Sequence, residues 1–199
     1  MQTLVLATTN RHKVEEIRRA LVGFNVLPRP ESLGSVPETE ETFEGNALLK
    51  AIAVSKGVTA IALADDSGVV VPALDGAPGV HSARFAGEDA TDLDNVEKLL
   101  RLMDGVLDRS AYFVCVLVLC RPDGKWISFE GKVEGRLSMD AVGTNGFGYD
   151  SIFVPSDGDG RSFGEFSMDE KNVMSHRAVA IRKMVEFINS PEGLEFFHL

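Results

Sequence analysis

Residues 3–17 read TLVLATTNRHKVEEI, and the order of residue types in this stretch decides the class of fold. The apolar run 3–7 reads as a strand, TTNRHK as a polar loop, and Val14, Ile17 and Leu21 recur at i, i+3 and i+7 as one face of a helix. Glu15 and Glu16 are placed in the first turn of that helix and Arg18 and Arg19 later, the charge order that complements a helix dipole. Strand, loop and helix in succession open a parallel α/β unit. Downstream, a helix over 42–56 is stopped by Gly57, and a strand over 60–64 ends at Asp65, Asp66, Ser67 and Gly68, with extended chain over 69–71. Residues 72–87, containing Gly76, Pro78, Gly79 and Gly87, form a loop of the length that is usually functional or mobile. A helix over 92–103 precedes two β-rich runs, 111–121 and 125–136, which the turn PDG joins as a hairpin. The glycine-rich TNGFGYD, a short strand over 151–154, the turn-rich PSDGDGR, a capping box Ser167-x-x-Glu170 and a final helix over 175–189 follow. Parallel units early and a hairpin later predict an α/β fold built on a mixed β-sheet.

The 199 residues suit one large domain or two lobes sharing a core, and 44% hydrophobic with 25% charged residues is ample material for burial. With 20 basic and 30 acidic residues the formal net charge is -10. A surface that negative repels nucleic acid and anionic lipid, whereas a small anionic ligand is admissible where cations gather. No run approaches the roughly 20 apolar residues that span a bilayer. The stretch MQTLVLATTN has neither a basic n-region nor an A-x-A site, so a soluble cytoplasmic protein is expected. Cys115 and Cys120 lie in the run YFVCVLVLC, at an odd spacing that turns them to opposite faces of a strand, so both read as buried thiols. Without CxxC or a Cys/His cluster, zinc has no site.

Thr8, Thr9, Asn10 and Lys13 sit where the first strand hands over to the first helix, and there hydroxyls, an amide, backbone N–H groups and the positive helix end converge as they do around phosphate. The loop matches neither GxxxxGK[ST] nor GxGxxG, and the same residues suit an ordinary helix cap. Lys50 falls on the helical face of Phe43, Ala47 and Val54, with Asn46 at its edge. A cation on that face needs a partner or an anionic ligand, unless its stem lies along apolar surface and its head reaches water. Asp65 and Asp66 point to opposite faces of extended chain, so one carboxylate enters a cleft and the other supports it from behind or faces water. Glu38, Glu40, Glu41 and Glu44 form an acidic cluster that could supply a second carboxylate for Mg²⁺, a cation that takes one or two carboxylates plus substrate phosphates. In TNGFGYD, Gly146 and Gly148 allow close approach, and Phe147 or Tyr149 offers a face on which a base can stack. Lys171, Ser175, His176 and Arg177 make a basic island at the start of the last helix; lysine and arginine only donate, which suits a 6-keto oxygen and not a 6-amino group.

The blocks LATTNRHKVEEI, FEGNALLKA, ADDSGVVVPAL, GAPGVHSARFAG, TNGFGYDSIF and EKNVMSHRA occur in this order across nearly the whole chain, and together they closely resemble the inosine triphosphate pyrophosphatase family of dITP/XTP pyrophosphatases. The resemblance implies a single domain over 1–199 with two lobes, an elongated mixed β-sheet flanked by helices, a central substrate cleft, and a homodimer. It also implies hydrolysis of non-canonical purine nucleoside triphosphates (ITP, dITP, XTP) to the monophosphate and pyrophosphate with Mg²⁺, which cleanses the nucleotide pool. Carried over motif by motif, Thr8, Thr9, Asn10 and Lys13 would hold the triphosphate, helped by Lys50. Asp66 would be the catalytic carboxylate and, with Glu38, a metal ligand, while Ser67 touches substrate. Glu38 is preferred to Glu41 for its distance from Lys50. Phe147, Gly148, Tyr149 and Asp150 would line the base pocket, and Lys171, His176 and Arg177 would read the keto edge of the base. Tyr149 stands where some relatives carry Trp, and His81 receives no role. The rivals are a Maf-like pyrophosphatase of similar fold acting on modified pyrimidine or canonical nucleotides, and a nucleotide sensor without turnover; the carboxylate pair speaks against the second.

Overall fold

A computed structural model describes residues 2–198, and its six strands form one mixed sheet in the order β2-β1-β3-β4-β5-β6. β1 (Thr3–Leu6) is the apolar run TLVL, with Leu4, Val5 and Leu6 all buried, as in a strand covered on both faces. It pairs in parallel with β2 (Asn25–Leu27) on one side and with β3 (Ala62–Val70) on the other. β2 is only NVL, too short for any alternation to show in the sequence. α1 (Arg11–Ala20) begins one residue after its cap Asn10, whose side-chain oxygen accepts from the amides of His12 and Lys13. Glu15 and Glu16 therefore lie beyond the first turn, and only Arg18 and Arg19, in the last turn, keep the expected charge order.

α2 (Phe43–Val58) runs through Gly57 and ends on Thr59 in a left-handed conformation. Gly57 does not stop the helix; its missing side chain leaves room for Leu33, whose Cδ2 lies 2.6 Å from where a Cβ would stand. β3 departs furthest from expectation: ALADDSGVV is one continuous strand, so Asp65 and Asp66 lie inside it and do not close it. The segment 72–87 folds into two short 3₁₀ turns, Pro72–Leu74 and Gly79–Arg84. It is fastened, since the Ser82 hydroxyl accepts from the Val69 amide at 3.0 Å and donates to the Gly79 carbonyl at 2.6 Å, and the Asn95 carboxamide bonds both Ala83 and Ala86.

α3 (Asp92–Leu102) opens with a reciprocal capping box between Thr91 and Asp94. Thr91→Ala removes the acceptor for the Asp94 amide and should lower stability by about 1 kcal/mol, read as a lower urea midpoint; an unchanged midpoint would show the cap to be idle. β4 (Ser110–Cys120) and β5 (Trp126–Leu137) form the expected hairpin, closed by Arg121 donating to the Lys125 carbonyl and by Gly124 at φ 92°. A 3₁₀ turn over Asp150–Ile152 shortens the last strand to β6 (Phe153–Pro155), antiparallel to β5. The Ser167/Glu170 capping box opens α4 (Met168–Met174), and an extended Ser175 separates it from α5 (His176–Ile188). A further helix, α6 (Pro191–Phe197), is capped by Ser190.

The chain divides into two compact units, and β3, β4 and β5 contribute residues to both. The first holds the residues up to Asp66, Cys115–Gly131 and the residues from Arg177 onward, around a core that includes Leu4, Leu6, Ile17, Leu63, Leu117 and Met184. The second holds Ser67–Val114 and Lys132–His176, around Val69, Leu99, Phe113, Phe153 and Phe163. Its rings pack closely, with Phe113 and Phe153 centroids 4.5 Å apart. Among the described residues no helix is long and apolar enough to cross a membrane.

Candidate active site

In the first unit, the pleat of β3 sends consecutive side chains to opposite faces, and Asp65 and Asp66 accordingly meet different partners. Asp65 Oδ2 accepts from Arg177 Nε at 2.8 Å and faces the Cys115 thiol at 3.1 Å, while Oδ1 pairs with the Lys13 ammonium. The other side of the Arg177 guanidinium binds Glu16. Glu16, Arg177, Asp65 and Lys13 thus alternate in sign and sum to zero. Burial pushes the Asp65 carboxyl up, but Arg177 and Lys13 outweigh it and hold the group well below the usual carboxylate range. Burial drives the Cys115 thiol well above its ordinary value, and the Asp65 charge adds to it, so the sulfur keeps its proton and acts as a donor.

Asp66 sits among the opposite set. Its Oδ1 accepts from Lys50 Nζ at 2.8 Å, and the same ammonium donates to Glu38 Oε1 at 2.9 Å. Its Oδ2 is buried and has no hydrogen-bond partner. Burial raises the Asp66 carboxyl, and Lys50 and Lys13 offset only part of the rise. For Lys50 the balance is reversed: burial pulls the ammonium down, but Asp66 and Glu38 more than compensate. With both acids ionised this triad carries an excess negative charge. Among the described residues no three His, Cys, Asp or Glu side chains gather into a cage for a metal. Two carboxylates, an unbonded buried oxygen and surplus negative charge nevertheless fit a hard divalent cation of the kind that completes its shell with phosphate oxygens and water.

Other expected residues lie as follows. Thr8 accepts from the Asn10 amide at 3.2 Å, and Asn10 caps α1. Thr9 lines a surface depression with Arg11, Val14, Glu15, Arg18 and Arg19, a stripe of α1 that excludes Lys13. Of the acidic cluster, Glu38 meets Lys50, Glu44 accepts from Ser128, and Glu40 and Glu41 are exposed. Arg177, expected at the edge of a base, is 1% exposed and held between Glu16 and Asp65.

In the second unit, Asp150 Oδ2 accepts from Lys171 Nζ at 2.7 Å and from the Phe147 amide at 2.8 Å. The Lys171 ammonium also lies 4.7 Å from the Phe147 ring centroid, a cation–π contact. Gly146, at φ +75°, is required here, because a Cβ would stand 2.1 Å from Asp150 Oδ2. The Gly148 amide donates to Asp92 at 2.7 Å. Of the two candidate stacking rings, Tyr149 is a core residue whose hydroxyl donates to the Ser82 carbonyl at 2.9 Å, while Phe147 is half-buried. Burial, with the Asp92 charge, raises the Tyr149 phenol far above its usual value, so it acts only as a neutral donor. His176 stacks on Phe113 with centroids 4.6 Å apart, and Ser67 is half-buried in β3.

Three participants escape a reading of the sequence as site residues: Glu16, Asp92 and Cys115. Glu16 alone carries a signal, since it lies three residues after Lys13 and beside Ile17, on the inward face of α1.

A mixed α/β sheet that presents lysines and paired carboxylates at one place defines a protein equipped for phosphate chemistry. A model of the Ham1 family matches residues 4–187. A dITP/XTP pyrophosphatase of Bacillus licheniformis is 45% identical over 191 residues, covering 92% of this chain and 96% of its own length. A HAM1 protein of Coxiella burnetii superposes with a TM-score of 0.87 at 36% identity, covering 94% of this chain and 98% of its own. The Ham1 protein of Staphylococcus aureus does so with a TM-score of 0.85 at 38% identity and the same coverage, 94% and 98%. The chain belongs to the Ham1 family.

Proposed function

We propose that this protein hydrolyses non-canonical purine nucleoside triphosphates, dITP, ITP and XTP, to the monophosphate and pyrophosphate. The observation that carries this reading is Asp66, a buried carboxylate with one oxygen on Lys50 and the other unbonded. The names of relatives such as the Bacillus licheniformis dITP/XTP pyrophosphatase supply the substrate class.

Lys13 and Lys50 hold the triphosphate by charge, at the N-terminal end of α1 where Thr8, Thr9 and Asn10 precede the helix. Asp66 takes a proton from a water that attacks the α-phosphorus; the bond to the bridging oxygen breaks and pyrophosphate leaves. Magnesium, for which Glu38 and Asp66 are the fitting ligands, would supply neutralisation of the phosphate charge. In the second unit Phe147 stacks on the base, and Lys171, set by Asp150, donates to its keto oxygen, with His176 and Ser67 as further contacts. Arg177 holds Asp65.

The test is an incubation with Mg²⁺ and, separately, ITP, XTP, dATP, dGTP and UTP, with pyrophosphate and orthophosphate measured apart. Pyrophosphate from ITP and XTP, with little from the others, is the expected result. Pyrophosphate from UTP or dATP would move the protein to a Maf-like activity, orthophosphate would make it an ordinary phosphatase, and no release would make it a sensor.

A further inference from the structure

We infer that Asn46 is a positioning residue for the second acidic ligand: it clamps the main chain at Glu40 and so delivers Glu38 to Lys50 and Asp66. The inference rests on the reading of Glu38 as a metal ligand. Residues 34–40 belong to no helix or strand, so no ladder of backbone bonds fixes Glu38 in place. A side chain ties the segment down two residues further on. The Glu40 amide donates to Asn46 Oδ1 at 3.0 Å, and Asn46 Nδ2 donates to the Glu40 carbonyl at 3.1 Å. Both polar atoms of a fully buried carboxamide are spent on one residue of the segment, in the two-way pairing that a neighbouring strand would offer. A primary amide presents a donor and an acceptor side by side for this; aspartate lacks the donor and leucine lacks both.

The surrounding residues serve the same approach. A Cβ on Gly45 would stand 2.7 Å from Glu40 Cβ and 2.9 Å from its Cγ, so a bare glycine lets the segment lie against the helix. Thr42 caps α2 by accepting from the Gly45 amide at 3.1 Å, which joins the end of the segment to the start of the helix. Asn46 and Lys50 stand one turn apart on α2, at i and i+4, and share a face. The clamp and the ammonium are therefore presented in line by one rigid element, and Glu38, two residues before the clamped position, meets Lys50 at 2.9 Å. Groups that orient a metal's ligands without touching the metal typically change its affinity by about 10- to 100-fold when removed.

The experiment titrates Mn²⁺ into the full-length protein, bound to an inosine triphosphate analogue that cannot be cleaved between the α and β phosphorus atoms, and follows free Mn²⁺ by electron paramagnetic resonance. Asn46→Ala should weaken Mn²⁺ binding about tenfold or more, and Glu38→Gln should weaken it at least as much. In the Glu38→Gln background, Asn46→Ala should add nothing, because its whole effect passes through Glu38. An equal further loss in that background, or full Mn²⁺ affinity in Asn46→Ala, would overturn the inference while leaving Glu38 as a ligand. Full affinity in Glu38→Gln would instead remove Glu38 as a ligand and take this inference with it. If Asn46→Ala does not fold, Gly45→Ala displaces the same segment; adding Glu40→Gly removes the two nearest atoms it strikes, leaving Thr42 Oγ1 at 3.0 Å, and should restore Mn²⁺ binding, and failure to restore it counts against the clamp.

Discussion

Asp66→Asn lowers turnover of ITP and XTP by about 100- to 10,000-fold, the range for loss of a positioned proton acceptor, and leaves the urea midpoint no lower than the parent's. The two halves of this expectation come from the same burial. The carboxamide keeps an oxygen for Lys50, so the site stays assembled and nucleotide binding through Lys13 and Lys50 survives. What disappears is the unbonded Oδ2, which no amide nitrogen replaces as a base. Burial holds the folded-state acid above its ordinary value, so at neutral pH its charge opposes folding, and a neutral isostere does not destabilise. Steady-state pyrophosphate release, equilibrium nucleotide binding and urea unfolding check the three parts. Near-normal turnover would strip Asp66 of its role, and a fall in the midpoint alongside the lost activity would make it a folding residue instead.

Arg177→Met acts on stability, by about 3–5 kcal/mol, because it withdraws the one guanidinium that faces both Glu16 and Asp65 inside the first unit. Removing one partner of a buried ion pair is far more harmful than removing both. Glu16→Gln/Arg177→Met deletes one charge of each sign and leaves Asp65 with Lys13, so most of the lost stability should return. Urea unfolding of the single and double variants checks this. Were the guanidinium a reader of the base and nothing more, Arg177→Met would unfold like the parent and lose its preference for keto purines; that pair of results would overturn the structural role.

The two aspartates show how far the sequence could be read. The alternation that turns Asp65 and Asp66 to opposite faces is a local property of extended chain and is legible in the letters ADDSG. That the strand continues through them is not, because polar residues interrupt the apolar pattern and their partners come from elsewhere. Arg177 is 112 residues from Asp65 and 161 from Glu16. Lys50 is legible because an ammonium among Ala47 and Val54 contradicts the apolar face of its own helix. Gly57 is misread as a stop because its meaning lies in Leu33, a tertiary neighbour. Asn46 is the sharpest case: nothing in FEGN distinguishes a main-chain clamp from a polar residue at the margin of an amphipathic helix.

The chain has 2 cysteines, both reduced and both sealed in β4, one against the Asp65 carboxylate and the other 3.5 Å from the Ser55 hydroxyl. An alkylating reagent reaches either sulfur only when that strand is laid open. The protein therefore carries an unlabelled clock for its own breathing: the pace at which iodoacetamide consumes the thiols counts excursions that expose the floor beneath Asp65, and a bound nucleotide that steadies this floor slows the count.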